Sequence, residues 1–232
     1  MTDTSAVADR ISAAAGRWLD TLDEAQRRRA RFGFDEPERF VWDYLPGARR
    51  GLPLGDMTAP QRVAAMELVA ASLSERGATE VQAVIALEPI LRDLERGTGK
   101  DLTRRDPGRY GFAIFGEPSS VAPWSWRVGG HHVAIQVAIG GGRVIGSTPS
   151  FLGANPATVP NGPMAGHRTL DGEERLARTL LATLTPGQRR LAIVDPEAPD
   201  DILSGTGRRA ELRDVPAGIP YEALDPGQRT AL

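Results

Sequence analysis

The sequence predicts an α+β fold in which N-terminal helices pack on one face of a small antiparallel sheet with a central hairpin. Apolar residues recur at the spacing of amphipathic helices up to Leu94, and they alternate with the two-residue period of strands from Tyr110 to Pro149. Three consecutive glycines at residues 140–142 interrupt the alternation and predict the turn of the hairpin. A chain of 232 residues is long enough to bury a substantial core.

Three helices are predicted in the N-terminal part of the chain. Residues 9–31 carry a single apolar stripe at helical period. The next two helices begin at Thr58 and Thr79, which are good N-caps, and they end at Gly77 and Gly97. We expect these two helices to pack as an antiparallel pair.

The strands are predicted over residues 110–116, 124–139 and 143–149, and the last two form the hairpin. A further helix begins at Asp171, where Glu174 completes a capping box.

The C-terminal part is predicted to be an extended tail over residues 196–232, because proline and glycine become frequent there. The hexapeptides MTAPQR, LTPGQR and LDPGQR share a cap, an early proline and a Gln-Arg pair, which is typical of a helix start. The third lies close to the last residue, so we expect a helix that is cut short. Residues 1–232 as a whole are predicted to form a single α+β domain.

The composition excludes several classes of site. The chain has no cysteine, so it has no disulfide framework, thiolate zinc site, iron–sulfur cluster or cysteine nucleophile. A formal charge of −2 leaves no basic excess for nucleic acid or for an anionic membrane. Without an apolar run of about 20 residues, a cytoplasmic protein is expected.

The adjacent histidines His131 and His132 are the most informative candidates for chemistry. On strict alternation, His131 lies on the apolar face, and His132 lies with Gln136 and Thr148 on a face of small side chains that leaves room for a ligand. The two glycines before the pair suggest a bulge that would turn both imidazoles towards one metal or substrate. The alternative is a core histidine followed by a surface histidine.

Two carboxylates form a second candidate group. Glu88 and Glu95 both fall within the apolar face of the helix predicted after Thr79. A carboxylate is costly to bury unless it is paired, hydrogen-bonded or bound to a metal. The simpler interpretation, which we favour at this point, is that Arg92 pairs with both.

Two other residues are weaker candidates. Trp126 in the WSW segment is either a stacking wall for a ligand or part of the core. His167 lies in a loop rich in glycine and proline beside Arg168, where it is either a surface residue or a ligand.

Several segments resemble the bacterial family catalogued as domain of unknown function 3500: RDPGRYGFAIFGEP, PWSWRVGGHHVAIQVAI, TPSFLGANPATV, GPMAGHRTLDGEERLARTLLATL and GIPYEALDPGQR. The resemblance covers most of the chain from about Phe40 onwards. It implies that relatives continue beyond this chain and carry a second histidine cluster of the pattern H-I-H-x-V-W-R-D. The chain then corresponds to the N-terminal two-thirds of the family and lacks a C-terminal segment. An apolar residue at the position of His167 is also implied.

The resemblance and the histidine pair together predict a metal-dependent enzyme, a hydrolase, lyase or oxygenase, that acts on a small polar substrate. The expected cofactor is a divalent first-row metal ion with nitrogen and oxygen ligands, among them His131 and His132. Glu88 or Glu117 is expected to provide a carboxylate, and Arg127 to hold an anionic group of the substrate. The expected substrate-binding residues are Gln136, Thr148, Trp126 and Asn155.

A non-catalytic function is the alternative hypothesis to the metal-dependent enzyme. The chain is then a binding or interaction module, or half of a split protein that a partner chain completes. In either reading, a homo-oligomer or partner chain is a candidate for completing the site, and no nucleic-acid or membrane partner is expected.

Overall fold

A computed structural model describes residues 4–209 and 217–232 of the protein. The described residues contain seven α-helices: α1 (Thr4–Thr21), α2 (Glu24–Ala30), α3 (Ala59–Ser72), α4 (Glu75–Leu94), α5 (Asp171–Thr183), α6 (Pro186–Ala192) and α7 (Pro226–Ala231). They also contain seven strands: β1 (Arg31–Phe32), β2 (Leu52–Pro53), β3 (Gly111–Phe115), β4 (Trp124–Gly130), β5 (Val133–Gly140), β6 (Arg143–Gly146) and β7 (Ser150–Leu152). The predicted α+β class is confirmed.

The strands form one mixed sheet with the central order β1-β3-β4-β5-β6. β2 also pairs with β3, and β7 also pairs with β5. Only the β1–β3 pair is parallel within the part of the chain that the structure describes. The predicted turn at the three glycines is present, since β5 ends at Gly140 and β6 begins at Arg143.

The predicted single strand over residues 124–139 is wrong. β4 ends at Gly130, β5 begins at Val133, and these two residues pair across an antiparallel hairpin. His131 and His132 are therefore the two residues of a tight turn. His132 has a φ of 59° and is the single non-glycine residue with positive φ in the described ranges. Alternation cannot assign faces to residues in a turn, so the expected separation of the two histidines onto opposite faces does not apply.

The N-terminal helices differ from the prediction in their boundaries. The single helix expected over residues 9–31 is two helices, because Asp23 caps α2 and forms a capping box with Gln26. The N-cap of α4 is Ser74, whose hydroxyl accepts a hydrogen bond from the N–H of Gly77. Gly77 and Thr79 consequently lie inside α4, and neither ends nor caps a helix.

All three Gln-Arg hexapeptides begin helices, as predicted. Thr58, Thr185 and Asp225 are the N-caps of α3, α6 and α7, and each forms a capping box with the glutamine three residues later. The capping box predicted at Asp171 is wrong, since Asp171 is the first helical residue and Leu170 precedes it without a side-chain cap.

The chain divides into two compact units, residues 1–169 and 170–232. The first contains the sheet and a core in which Trp18 packs on Phe112, and Phe112 on Trp126. The predicted tail over residues 196–232 falls in the second unit, and its residues 210–216 lie outside the described residues. Among the helices of the described ranges, none is long and apolar enough to cross a membrane.

Candidate functional site

Buried hydrogen bonds hold the β4–β5 turn against α4. His131 Nδ1 lies 2.6 Å from Glu88 Oε1. The Tyr110 hydroxyl lies 2.8 Å from the carbonyl oxygen of His131 and 3.1 Å from the same carboxylate oxygen, and these two acceptors share its single hydrogen. A carboxylate oxygen carries no hydrogen and only accepts, so the Nδ1–H of His131 is assigned as the donor in the shorter bond. This tautomer leaves the lone pair of His131 on Nε2.

All three of these side chains are removed from solvent. Glu88 is 2% exposed, Tyr110 1% and His131 8%. Burial and then the Glu88 carboxylate raise the pKa of Tyr110, so its hydroxyl remains a neutral donor. The second carboxylate oxygen of Glu88, Oε2, is buried without a hydrogen-bond partner. The carboxylate is thus directed at the imidazole through one oxygen.

The Nε2 side of His131 faces a cluster of charged groups. Arg105 Nη1 lies 3.4 Å from His131 Nε2. The Nε and Nη2 atoms of Arg105 donate to the two carboxylate oxygens of Glu95 at 2.8 and 3.0 Å, and Lys100 donates to Glu95 at 2.9 Å. The bonds from Arg105, with Lys100 second among the partners, lower the pKa of Glu95 to about 2. Arg105 and Lys100 thus surround the Glu95 carboxylate, and the Glu88 carboxylate on the other side of the His131 ring also acts on the charge of Arg105.

These contacts correct the simpler interpretation of the two buried carboxylates. Glu88 and Glu95 both lie on the buried face of the α4 region, as expected. Their partners come from residues 100–131, however, and the pairing of both with Arg92 is wrong. The prediction considered only neighbours on the same helix surface. The observed partners of Glu88 and Glu95 lie in the sheet, in the β4–β5 turn and in the loop before the sheet.

His132 is stacked on His131 and is held by its backbone. The two ring centroids are 4.1 Å apart, and the planes are inclined by 31°. The N–H of His132 donates to the carbonyl of Tyr44 at 2.8 Å, and its carbonyl accepts from the N–H of Gly153 at 2.9 Å. Burial, followed by the charge on His131 when that ring is protonated, lowers the pKa of His132 to about 4. His132 is therefore neutral at pH 7, and its Nδ1 is buried without a partner.

Two glycines make room for this arrangement. A Cβ atom on Gly130 would lie 2.3 Å from the Tyr110 ring, well inside van der Waals contact. A Cβ atom on Gly153 would lie 3.1 Å from the His132 ring. The Gly-Gly-His-His segment is thus a turn that a tyrosine ring can approach closely, and it does not require a bulge.

The described residues do not fit the expected first-row metal site. The two imidazole rings lie over one another, with centroids 4.1 Å apart and planes inclined by 31°, so each ring covers one face of the other. A metal on His131 Nε2 would also lie against the guanidinium of Arg105. Among residues 4–209 and 217–232, no group of three or more His, Cys, Asp or Glu side chains could hold a metal ion.

Arg127, which the sequence predicted to hold the substrate, is buried and forms its hydrogen bonds within the protein. It is 2% exposed. Its Nη2 donates to the Glu38 carboxylate at 2.8 Å and to the Arg50 carbonyl at 3.2 Å, and its Nη1 donates to the carbonyls of Glu38 and Val41. Arg127 therefore anchors the connection between β1 and β2 to the sheet.

The four expected substrate-binding residues are dispersed. Trp126 is fully buried, and its indole N–H donates to the Ser72 hydroxyl. Gln136 is buried in β5, whereas Thr148 and Asn155 are exposed. Within the part of the chain that is described, no hydrogen bond connects these four side chains to the histidine pair.

Two further candidates lie in exposed positions. Glu117, the second candidate carboxylate, is ion-paired with Arg31. His167 is exposed, and its backbone bonds to Met164 and Val159 within a loop. Neither forms a hydrogen bond with His131 among the described residues.

The sequence interpretation missed Tyr110 and Arg105. A tyrosine at the start of an apolar strand is typical of core packing, so its position gave no sign of a bond to Glu88. Arg105 is one of several arginines in a polar turn, and its contact with the histidine depends on the path of the chain. The one available signal was Gly130, since a glycine inside a strand often marks a close approach.

These features define an α+β protein in which a histidine-bearing hairpin turn docks on a buried carboxylate of a helix. The chain belongs to the family described as "Protein of unknown function (DUF3500)", whose family model matches residues 4–232. The sequence predicted a likeness to the N-terminal two-thirds of the family that begins at about Phe40. This prediction is slightly off in extent, because the match covers nearly the whole chain. No curated protein and no solved structure matches the chain.

Proposed function

We propose that the protein is an enzyme that acts on a small polar substrate by general acid–base catalysis, with His131 as the base. The observation that carries this proposal is the 2.6 Å bond between His131 Nδ1 and Glu88 Oε1. A buried carboxylate that accepts from Nδ1 orients the ring and stabilises the imidazolium formed when Nε2 takes up a proton. Hydrolysis and elimination both begin with such a proton transfer, so a hydrolase or a lyase is the proposed reaction class.

Arg105 indicates the kind of substrate. Its 3.4 Å separation from Nε2 is longer than an ordinary hydrogen bond, so an incoming group can replace this weak contact. An anionic group bound to Nη1 would bring its neighbouring atoms to Nε2. Lys100, whose side chain is 61% exposed, adds positive charge on the solvent side of the same cluster. We therefore propose a substrate with a carboxylate or a similar anion next to the reacting centre.

Each of the other residues has a supporting role in this proposal. Tyr110 positions the Glu88 carboxylate and remains a neutral donor throughout. Glu95 holds the guanidinium of Arg105 in place through two hydrogen bonds. His132, neutral at pH 7, covers one face of the His131 ring and limits its rotation.

The metal-dependent form of the proposal has weaker support. In its favour, Nδ1 of His132 is buried without a hydrogen-bond partner. Metal analysis of the purified protein and of His132→Ala decides between the two forms. A stoichiometric first-row metal that the variant loses supports the metal enzyme, and a metal-free protein that retains catalysis supports acid–base catalysis alone. We place either activity in the bacterial cytoplasm, on the strength of the composition.

A substrate screen by NMR tests the proposal. Small hydroxy acids, keto acids and carboxylate-bearing esters are incubated with the whole chain in D₂O, and both hydrolysis and exchange of carbon-bound protons are followed. We expect at least one compound to react, with the rate lost in His131→Gln and kept in His167→Gln, a matched change at an exposed histidine. A reaction that survives His131→Gln, or a panel that is inert with the native protein, would contradict the proposal.

A further inference from the structure

The second compact unit repeats part of the first. Residues 19–30 and 181–192 share the pattern L-x-T-L-x-x-x-Q-R-R-x-A, which runs from the end of one helix into the next. Residues 51–62 and 218–229 share the pattern G-x-P followed, eight positions after the proline, by Q-R. In the first unit, the two shared segments lead into α2 and α3, and in the second unit they lead into α6 and α7. α5, α6 and α7 therefore correspond in order to α1, α2 and α3.

The same hydrogen bonds hold the two sets of helices. In the first unit, Gln26 and Gln61 bond to each other through both side chains, at 3.1 and 2.7 Å. Gln26 also donates to the carbonyl of Asp56, and Gln61 to that of Thr21. Each glutamine side chain thereby locks its own helix start to the residues that precede the other.

In the second unit, Gln188 and Gln228 form the same reciprocal pair, at 2.9 and 3.0 Å. Gln188 donates to the carbonyl of Ala223, and Gln228 to that of Thr183. These acceptors occupy the positions of Asp56 and Thr21 in the shared patterns. Each of these bonds in one unit has a counterpart in the other. We call the set α1, α2 and α3, and the corresponding set α5, α6 and α7, with the residues that connect them, the helix frameworks of the two units.

In the first unit, β1 and β2 pair side by side along one edge of β3, and β4 pairs with the other edge. β1 follows α2 and pairs in parallel with β3, and β2 precedes α3 and pairs antiparallel with β3. Their registers place Arg31 opposite Ile114 and Leu52 opposite Phe112. β3 is therefore the strand that both short edges of the framework bind.

The described residues of the second unit contain counterparts of both edges and no counterpart of β3. Ile193 and Val194 occupy the positions of β1, and Ile193 has the same extended backbone and the same capping bond to the residue four before it. Ile219 and Pro220 occupy the positions of β2. No strand is assigned in residues 170–209 or 217–232. The side chains of Ile193 and Val194 are exposed, at 48% and 66%.

Two corresponding glycines, Gly51 and Gly218, allow the surroundings of the second edge to be compared between the units. Gly51 and Gly218 have matching φ values of 126° and 119°. A Cβ atom on Gly51 would lie 2.4 Å from the carbonyl oxygen of Phe112 in β3, whereas one on Gly218 would meet no atom within 4 Å. The backbone at Gly218 thus has the conformation seen beside β3, and no strand is assigned next to it in residues 170–209 or 217–232.

We propose that the second unit is a strand acceptor, which binds one extended, uncharged, apolar segment of a partner polypeptide. The segment runs parallel to residues 193–194 and antiparallel to residues 219–220, as β3 does in the first unit. Its chemistry follows from the edges, since none of these four residues is charged and the arginine of β1 is replaced by Ile193. Main-chain hydrogen bonds provide the affinity, and exposed isoleucine and valine side chains provide the apolar contact.

A peptide with the sequence of residues 109–116, RYGFAIFG, is a suitable probe because it contains the strand seen in the first unit. Its binding to the whole chain is measured by fluorescence anisotropy, and hydrogen exchange follows the backbone amides of the protein. We expect saturable binding with slowed exchange at Val194 and Ile219, since the N–H of Ile193 is already bonded to Arg189. Ile193→Asp should weaken binding at least about tenfold by placing a charge beside the strand, while Leu203→Asp at a 92% exposed site should leave it unchanged.

The same experiment can overturn the proposal. Equal binding of a peptide with Ile114→Pro, which has lost a main-chain donor, would show unspecific adherence. Protection away from the two edges, or no saturable binding, would remove the acceptor. Protection of both edges that increases with protein concentration before any peptide is added would assign the position to a second copy and not to a partner.

Discussion

His131 Nδ1 lies 2.6 Å from Glu88 Oε1, and this bond joins the turn of a β-hairpin to a helix 43 positions away in the sequence. Both residues are buried, so the bond contributes to folding as well as to the direction in which Nε2 points.

Glu88→Gln is expected to lower the free energy of unfolding by about 1.5–3 kcal/mol, since it replaces a charged acceptor with a neutral amide in a buried site. The matched change Glu117→Gln affects an exposed ion pair and is expected to cost less than about 1 kcal/mol. Urea unfolding followed by circular dichroism measures both. Equal losses would mean that the buried bond contributes no more than a surface pair.

Gly130→Ala is expected to destabilise the protein by about 1–3 kcal/mol or more, because the added Cβ lies 2.3 Å from the Tyr110 ring and forces it away from Glu88. Gly129→Ala is the control in the same strand, where the nearest atom, on Arg49, is 3.6 Å from the new Cβ. It should change the free energy of unfolding by less than about 1 kcal/mol. Thermal and urea unfolding distinguish the two, and a tolerated Gly130→Ala would contradict the close packing.

The lowered pKa of His132 predicts a pH dependence of stability. Between about 4 and its ordinary value of 6.5, the folded state binds fewer protons at His132 than the unfolded state does. The free energy of unfolding is therefore expected to decrease as the pH falls through this window. His132→Asn, a residue that tolerates positive φ, should remove that part of the slope, and His167→Asn should retain it.

A second window lies at lower pH and has a different origin. The pKa of Glu95 is lowered to about 2 from 4.5, so the stability that its ion pairs contribute is present above 4.5 and is lost as the pH falls towards 2. Glu95→Gln should flatten the pH dependence in this lower window alone. A change confined to the pH range above 4.5 in that variant would contradict the assignment.

Arg127→Met is expected to cost about 3–5 kcal/mol, because it leaves the Glu38 carboxylate and several carbonyls without their buried cation. The loss should be one of stability and not of substrate affinity. A double-mutant cycle with Glu38→Gln, read by urea unfolding, measures the coupling. A stable Arg127→Met protein with weakened substrate binding would restore the role expected from the sequence.

Local patterns in the sequence predicted much of the fold. The caps Thr58, Thr185 and Asp225 start helices because side-chain and early-proline chemistry act within a few residues. β3 and the glycine turn after β5 follow from alternation and from backbone freedom, which are also local.

The turn at His131 and His132 could not be predicted in this way. Positive φ is uncommon in any residue other than glycine, and the stretch from Trp124 to Ile139 shows alternation that continues through the pair. What stabilises the turn is distant in sequence: the ring of Tyr110 against Gly130, and the carboxylate of Glu88. The partners of Glu88 and Glu95 were misjudged for the same reason, since helix periodicity shows that a carboxylate is buried but not which residue meets it.

The protonation pattern of the His131 ring tests the central claim most directly. Long-range ¹H–¹⁵N NMR spectra of the native protein at neutral pH, with assignments from single histidine variants, report which ring nitrogen carries the proton. We predict that the neutral form of the His131 ring carries its proton on Nδ1 and none on Nε2, with that preference lost in Glu88→Gln. A proton on Nε2 of the native protein, or a pattern that Glu88→Gln leaves unchanged, would contradict the account of His131 as a base oriented by Glu88.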